Sequence, residues 1–176
     1  DFFMITIIDY GMANLGSVRK AFESVGAEVR VSPRPEDLRD SSHVVLPGVG
    51  AFRDAIATIR ETGMDEAIYE TIREGKPFLG ICLGLQILFT VGEEMGTHKG
   101  LDVFKGNVPK FTKGLVPLIG WNQAHIVRDD PIMAGIPDHS YFYFVHSYYV
   151  NPEDRSVVIA ETDYHINYAS IVGRDR

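Results

Sequence analysis

The sequence holds one cysteine, Cys82, and its setting is the most chemically specific in the chain. It lies in Gly80-Ile81-Cys82-Leu83-Gly84, a Gly-x-nucleophile-x-Gly pattern after the apolar run Phe78 to Ile81 and before another apolar run. A strand ending at such a residue and turning directly into a helix lifts the nucleophile to the C-terminal edge of a parallel sheet. Glycines on either side relieve crowding in that tight turn. The N–H of Leu83 could then face a developing oxyanion. A helix N-terminus behind the thiol would favour the thiolate. The plainer alternative is a small apolar cysteine buried at a strand end.

Leu46-Pro47-Gly48-Val49-Gly50-Ala51-Phe52 is the second feature, also set between an expected strand and an expected helix. Its loop therefore belongs to the same sheet edge as Cys82. A dinucleotide fingerprint would need a third glycine where Arg53 stands, so phosphate binding is poorly supported. A loop donating backbone N–H groups to a small substrate and a plain tight turn both remain open. Of the six histidines, His43 starts a strand and so lies at the wrong sheet edge. His98, His125 and His139 read as surface residues, and His165 is near the C-terminal end. His146, within the aromatic run Tyr143 to Tyr149, reads either as a base or as a sheet histidine bonded to a neighbour. No pair of histidines has ligand spacing on a helix, so no metal site is expected. Trp121, the one tryptophan, reads as a core anchor by default and as an exposed interface anchor otherwise.

The elements that must position these residues follow from periodicity. Ile5 to Asp9 reads as a buried strand. Asn14 caps a helix running to Gly26, with Leu15, Val18, Phe22 and Val25 on one face. Glu28 to Ser32 and Val44 to Leu46 read as strands. Phe52, Ala55, Ile56 and Ile59 mark one helix, and Met64, Ala67, Ile68 and Ile72 another, closed by Gly75. Phe78 to Ile81 is the strand before the cysteine, with a helix beginning near Leu83. After about residue 95 the texture becomes strand-like: Asp102 to Phe111, Trp121 to Val127, Tyr141 to Val150 and Val157 to Ala160. The pattern predicts an α/β fold, mostly parallel, with antiparallel additions to the same sheet in the C-terminal half and no second domain.

Composition narrows the function. The 176 residues carry 17 Lys and Arg against 24 Asp and Glu, a formal charge of -7. That balance argues against nucleic-acid binding, which depends on phosphate neutralisation. No apolar run approaches the roughly 20 residues of a membrane span, and no secretory leader is evident. One cysteine excludes an internal disulfide. The expectation is a cytoplasmic protein without membrane contact, with Met4 as the natural start.

From Ile5 to its end the chain resembles the class I (triad-type) glutamine amidotransferases, and among them the glutaminase subunits of imidazole glycerol phosphate synthases. The carriers are Asp9 to Leu15, Leu46 to Phe52, Gly80 to Gln86, Gly120-Trp121-Asn122 and Phe142 to Tyr149. The resemblance implies a flavodoxin-like αβα sandwich forming one amidotransferase domain over residues 1–176. It implies that Cys82 attacks the side-chain amide of glutamine, with N–H groups of Val49 and Leu83 as the oxyanion hole. The loop carrying Val49 would have to change conformation before its donor points inward. Gly48, Gln86, Ser147 and Tyr148 match positions that hold glutamine, which makes His146 a neighbour of the substrate strand and not the base. No cofactor is implied. The ammonia would pass to a (β/α)₈-barrel cyclase, with Asn14, Trp121 and Asn122 near the interface.

The departures are equally specific. The family's catalytic His and Glu stand in a His-Pro-Glu segment, and none occurs in these residues. The turn-like Gly173-Arg174-Asp175-Arg176 implies that the domain continues beyond it. Pro117-Leu118-Ile119 replaces a His-Met expected in many relatives. Three other readings remain: a glutaminase serving another synthase, such as one making anthranilate or GMP; a docking subunit without catalysis; and a small-ligand module of flavodoxin type. The last leaves the cysteine elbow unexplained.

Overall fold

The computed structural model describes residues 3–174. Asp175 and Arg176, part of the expected terminal turn, lie outside them. The chain forms two compact units. One runs to Leu88 and includes Lys99–Leu101; the other comprises Phe89–His98 and the chain from Asp102.

The first unit is built on β1 (Ile5–Ile8), β2 (Val29–Ser32), β3 (His43–Gly48) and β4 (Phe78–Cys82), all parallel in the order β2-β1-β3-β4. The β-branched Ile5-Thr6-Ile7-Ile8 is buried on both faces, as an internal parallel strand must be. Between these strands run α1 (Leu15–Ser24), α2 (Phe52–Glu61) and α3 (Met64–Arg73). The β1-to-β2 and β3-to-β4 crossovers step in opposite directions across the sheet. Right-handed connections then put α1 on one face and α2 with α3 on the other. This is the expected αβα sandwich.

Local chemistry sets the helix ends. The side chain of Asn14 accepts from the Ser17 N–H, 3.3 Å away, and Gly26 takes φ +83 just past the last turn. Leu15, Val18 and Phe22 pack on Ile5, Ile7 and Val45. Val25, expected on that face, caps the helix instead and is exposed. Phe52, Ala55, Ile56 and Ile59 are all buried along α2. In α3 the buried stripe is Met64, Ile68 and Thr71; Thr71 hides its hydroxyl by donating to the Ala67 carbonyl at 2.8 Å.

The helix after the cysteine departs from expectation. It is a single turn, α4 (Leu83–Gln86), because Phe89-Thr90-Val91 leaves at once as a strand. The chain then runs through β5 (Phe89–Gly92), β6 (His98–Lys99), β7 (Phe104–Val108), β8 (Leu118–Ile126), β9 (Ser140–His146), β10 (Asn151–Pro152), β11 (Val158–Asp163) and β12 (Asn167–Val172). These strands do not extend the parallel sheet. They form two sheets of their own, ordered β10-β7-β5-β6 and β12-β11-β8-β9. The pairings in the second of these are antiparallel, whereas β5 and β7 run parallel. A period of two identifies a strand but does not name its neighbour. Phe111, Leu118 and Tyr168 form a core cluster here, flanked by Phe144, Tyr149 and Tyr164.

The turn after Cys82 is packed to the backbone. A Cβ on Gly84 would stand 1.8 Å from the carbonyl oxygen of Leu46 in β3, and one on Gly80 would stand 2.9 Å from Leu85 backbone atoms. Gly84→Ala is therefore expected to lower stability by about 2 kcal/mol or more, read as a fall in the urea midpoint. An unchanged midpoint would contradict this packing.

Candidate active site

Parallel register places the ends of β3 and β4 side by side, with Gly48 paired to Cys82. Cys82 takes φ 56 and ψ -115, a region that an L-residue adopts only when its surroundings enforce it. Strain of this kind costs roughly 1–3 kcal/mol and gathers at functional sites. The Leu83 N–H, first in α4, donates to the Cys82 sulfur. Leu83 itself is buried, which fixes that donor in place. Gly48 fits closely against the same turn: a Cβ there would lie 2.2 Å from the Tyr10 hydroxyl and 3.0 Å from Leu83 Cβ. Tyr10, buried at the end of β1, keeps its hydroxyl without a partner, and desolvation and the neighbouring Cys82 raise its pKa. The first unit thus brings together Cys82, Leu83, Gly48, Val49 and the 9–14 loop.

The thiol is not tuned as the sequence implied. Solvent reaches Cys82, yet protein crowds its sulfur, and desolvation pushes the thiol above its ordinary value. The Leu83 N–H pulls it partly back. One helical turn aligns too few peptides to supply the expected macrodipole. The N–H that the resemblance implies as the second oxyanion donor is turned elsewhere: that of Val49 donates to the Met12 carbonyl at 2.8 Å. Gly50 beside it takes φ +104, a glycine conformation at the hinge of this loop. Sequence reading missed the Met12 contact because a backbone carbonyl acts there and its side chain carries no signal.

A family model described as Glutamine amidotransferase class-I matches residues 6–176. The chain belongs to this family. It is 47% identical over 173 residues to the Imidazole glycerol phosphate synthase subunit HisH of Desulfitobacterium hafniense, covering 98% of this chain and 82% of that protein. It is 48% identical to the protein of the same name in Syntrophotalea carbinolica, covering 98% and 87%. Among solved structures, one titled "Crystal structure of glutamine amidotransferase" superposes with TM-score 0.69 at 16% identity, covering 89% of this chain and 78% of that one. The "Structure of PurLQS from Thermotoga maritima" gives 0.69 at 19%, covering 94% and 76%. At those identities the likeness establishes the amidotransferase fold and nothing finer.

The remaining candidate residues of this amidotransferase divide between the units. Gln86 closes α4, and Asn14 is engaged as the cap of α1. Ser147 and Tyr148 follow β9 in the second unit. The Ser147 carbonyl accepts from the Phe111 N–H at 3.0 Å. Burial and the charges of Glu94 and Glu93 hold the Tyr148 phenol above its ordinary value. His146 has both ring nitrogens committed. Nδ1–H donates to the Tyr148 carbonyl at 2.7 Å, and Nε2 accepts from the Tyr168 hydroxyl at 3.1 Å. Burial also lowers its pKa, so the ring is neutral and structural. Trp121 is not the core anchor of the default reading. It is 69% exposed and meets Tyr143 edge-on at 5.4 Å across the β8–β9 ladder. Ile119, Tyr141 and Val145 are exposed on the same side of that ladder. Asn122 donates from Nδ2 to the Asp163 carbonyl at 2.8 Å.

The raised thiol has a direct kinetic consequence. Only thiolate alkylates, so the iodoacetamide rate of the isolated chain is expected to climb with pH and to inflect above the ordinary cysteine value of about 8.5. An inflection near neutrality would mean that the Leu83 donor outweighs burial.

Proposed function

We propose that this chain is the glutaminase subunit of an imidazole glycerol phosphate synthase in histidine biosynthesis. It hydrolyses glutamine to glutamate and hands the ammonia to a (β/α)₈-barrel cyclase in the cytoplasm. The observation that carries the reading is the strained Cys82 at the elbow of a chain 45–48% identical to HisH proteins.

Cys82 Sγ attacks the side-chain amide carbon of glutamine. The C–N bond breaks, nitrogen takes a proton and leaves as ammonia, and a γ-glutamyl thioester remains. Water then adds to the thioester, releasing glutamate and the thiol. Charge on the amide oxygen is met by the Leu83 N–H and, once its peptide turns away from Met12, by the Val49 N–H. Gly48, Gln86, Ser147 and Tyr148 are assigned to holding glutamine. No cofactor enters this chemistry. With His146 committed at both nitrogens and no His-Pro-Glu segment among the 176 residues, the reading assigns no general base within them.

The cyclase is assigned to the exposed aromatic side of β8 and β9. Trp121 and Tyr143 are large, rigid anchors of the kind that dominate interfaces. Asn14 and Asn122 are carried as further interface residues by the resemblance alone, since Asn122 sits at the opposite register of β8 and Asn14 caps α1 in the first unit. The test is glutamate release with and without the liganded cyclase. The partner is expected to raise the rate strongly. Cys82→Ala is expected to reduce the stimulated rate by about a thousandfold or more. Trp121→Ala is expected to weaken cyclase binding about tenfold or more. Equal rates with and without the partner would overturn the assignment.

A further inference from the structure

The second unit carries a side-chain cluster that the glutaminase reading does not use. β8 and β9 pair antiparallel as far as Ala124 with Ser140, and the His139 N–H continues the ladder by donating to the Ala124 carbonyl at 3.0 Å. His125 and His139 therefore stand opposite each other on the exposed side. Their rings stack with centroids 4.7 Å apart and planes 10° from parallel. Asp138 stands between their nitrogens. Its Oδ2 is 3.1 Å from His125 Nδ1 and 3.6 Å from His139 Nε2. One ligand atom from each of the three residues falls within 4.8 Å of the others.

These spacings have a chemical meaning. Zinc bonds to nitrogen and oxygen of about 2.0–2.1 Å place neighbouring ligands of a tetrahedron about 3.3 Å apart. The two carboxylate–imidazole separations bracket that value, and the imidazole nitrogens lie within 4.8 Å of each other. The carboxylate is also pre-oriented: Oδ1 accepts the N–H groups of Ile126 at 2.7 Å and His139 at 2.8 Å, and both oxygens reach His125 Nδ1, Oδ1 at 3.2 Å and Oδ2 at 3.1 Å. Such anchoring of a ligand's second atom is how outer-shell bonds hold metal sites in shape. His139 takes φ 61, a left-handed conformation that a glycine would adopt without strain. All three side chains are exposed, so a hydrated ion can enter and the rings can rotate to converge.

The geometry points to a divalent transition-metal site formed by His125, Asp138 and His139, with zinc as its archetype and water completing the coordination. Two imidazole nitrogens and one carboxylate favour zinc, copper, nickel or cobalt over magnesium and calcium, which prefer oxygen. In the metal-free chain His125 Nδ1 and Asp138 Oδ2 are hydrogen-bonded at 3.1 Å, and binding replaces that contact with a bond from each to the ion. The ladder register explains why helical spacing gave no hint of the pair.

The test is calorimetric titration of the untagged chain with zinc chloride. A Cys82→Ser background removes the thiol as a competing ligand. One equivalent is expected to bind. His125→Ala and His139→Gly are each expected to weaken it at least tenfold. His139→Gly serves as the control for folding, since glycine suits that backbone. Absence of binding, or binding unchanged in both variants, would overturn the site.

Discussion

A Cβ on Gly84 would collide with the carbonyl oxygen of Leu46 at 1.8 Å, and the space left by its absence lets the turn after Cys82 lie directly on β3. Everything specific to the site follows from that close approach. The chain can leave β4 through a left-handed cysteine because the turn beyond it is seated against backbone. Seating it there puts Leu83 into the core and its N–H onto the sulfur. Gly48 meets the same turn from the neighbouring strand, with Tyr10 closing the other side. The parallel register then sets both loops at one edge of the sheet without any further device.

On the proposed function, two features hold the site back. Burial keeps the thiol protonated, and the Met12 carbonyl holds the Val49 donor away. The second is inexpensive to reverse. A single backbone hydrogen bond contributes about 1 kcal/mol net, and Gly50 already sits at a conformation where the peptide can pivot. A bound partner needs to supply only a small differential free energy to turn the loop. This would give the proposed glutaminase a physical basis for coupling glutamine hydrolysis to an ammonia acceptor.

Much of this was legible in the sequence, and the failures share one cause. The Gly80-to-Gly84 pattern, the Asn14 cap and the α2 stripe are local signals, and each appears where periodicity and capping chemistry put it. Quantities set by tertiary packing were not legible. α4 stops after one turn because Phe89-Thr90-Val91 is claimed by a strand. The later strands pair among themselves, a choice of neighbour that alternation does not encode. Trp121 faces outward because β8 alternates with buried residues at the other register, while apolar residues at nearly every position of β9 hide which of its sides is exposed. His125 and His139 meet only through the ladder.

The central claim is that Cys82 is a working nucleophile addressed to glutamine. Intact-mass spectrometry after exposure to a diazo-ketone glutamine analogue tests it most directly, with the liganded cyclase present and with it absent. The account predicts one adduct, mapped to Cys82, forming faster with the cyclase. No adduct under either condition, or modification at any residue other than Cys82, would contradict it.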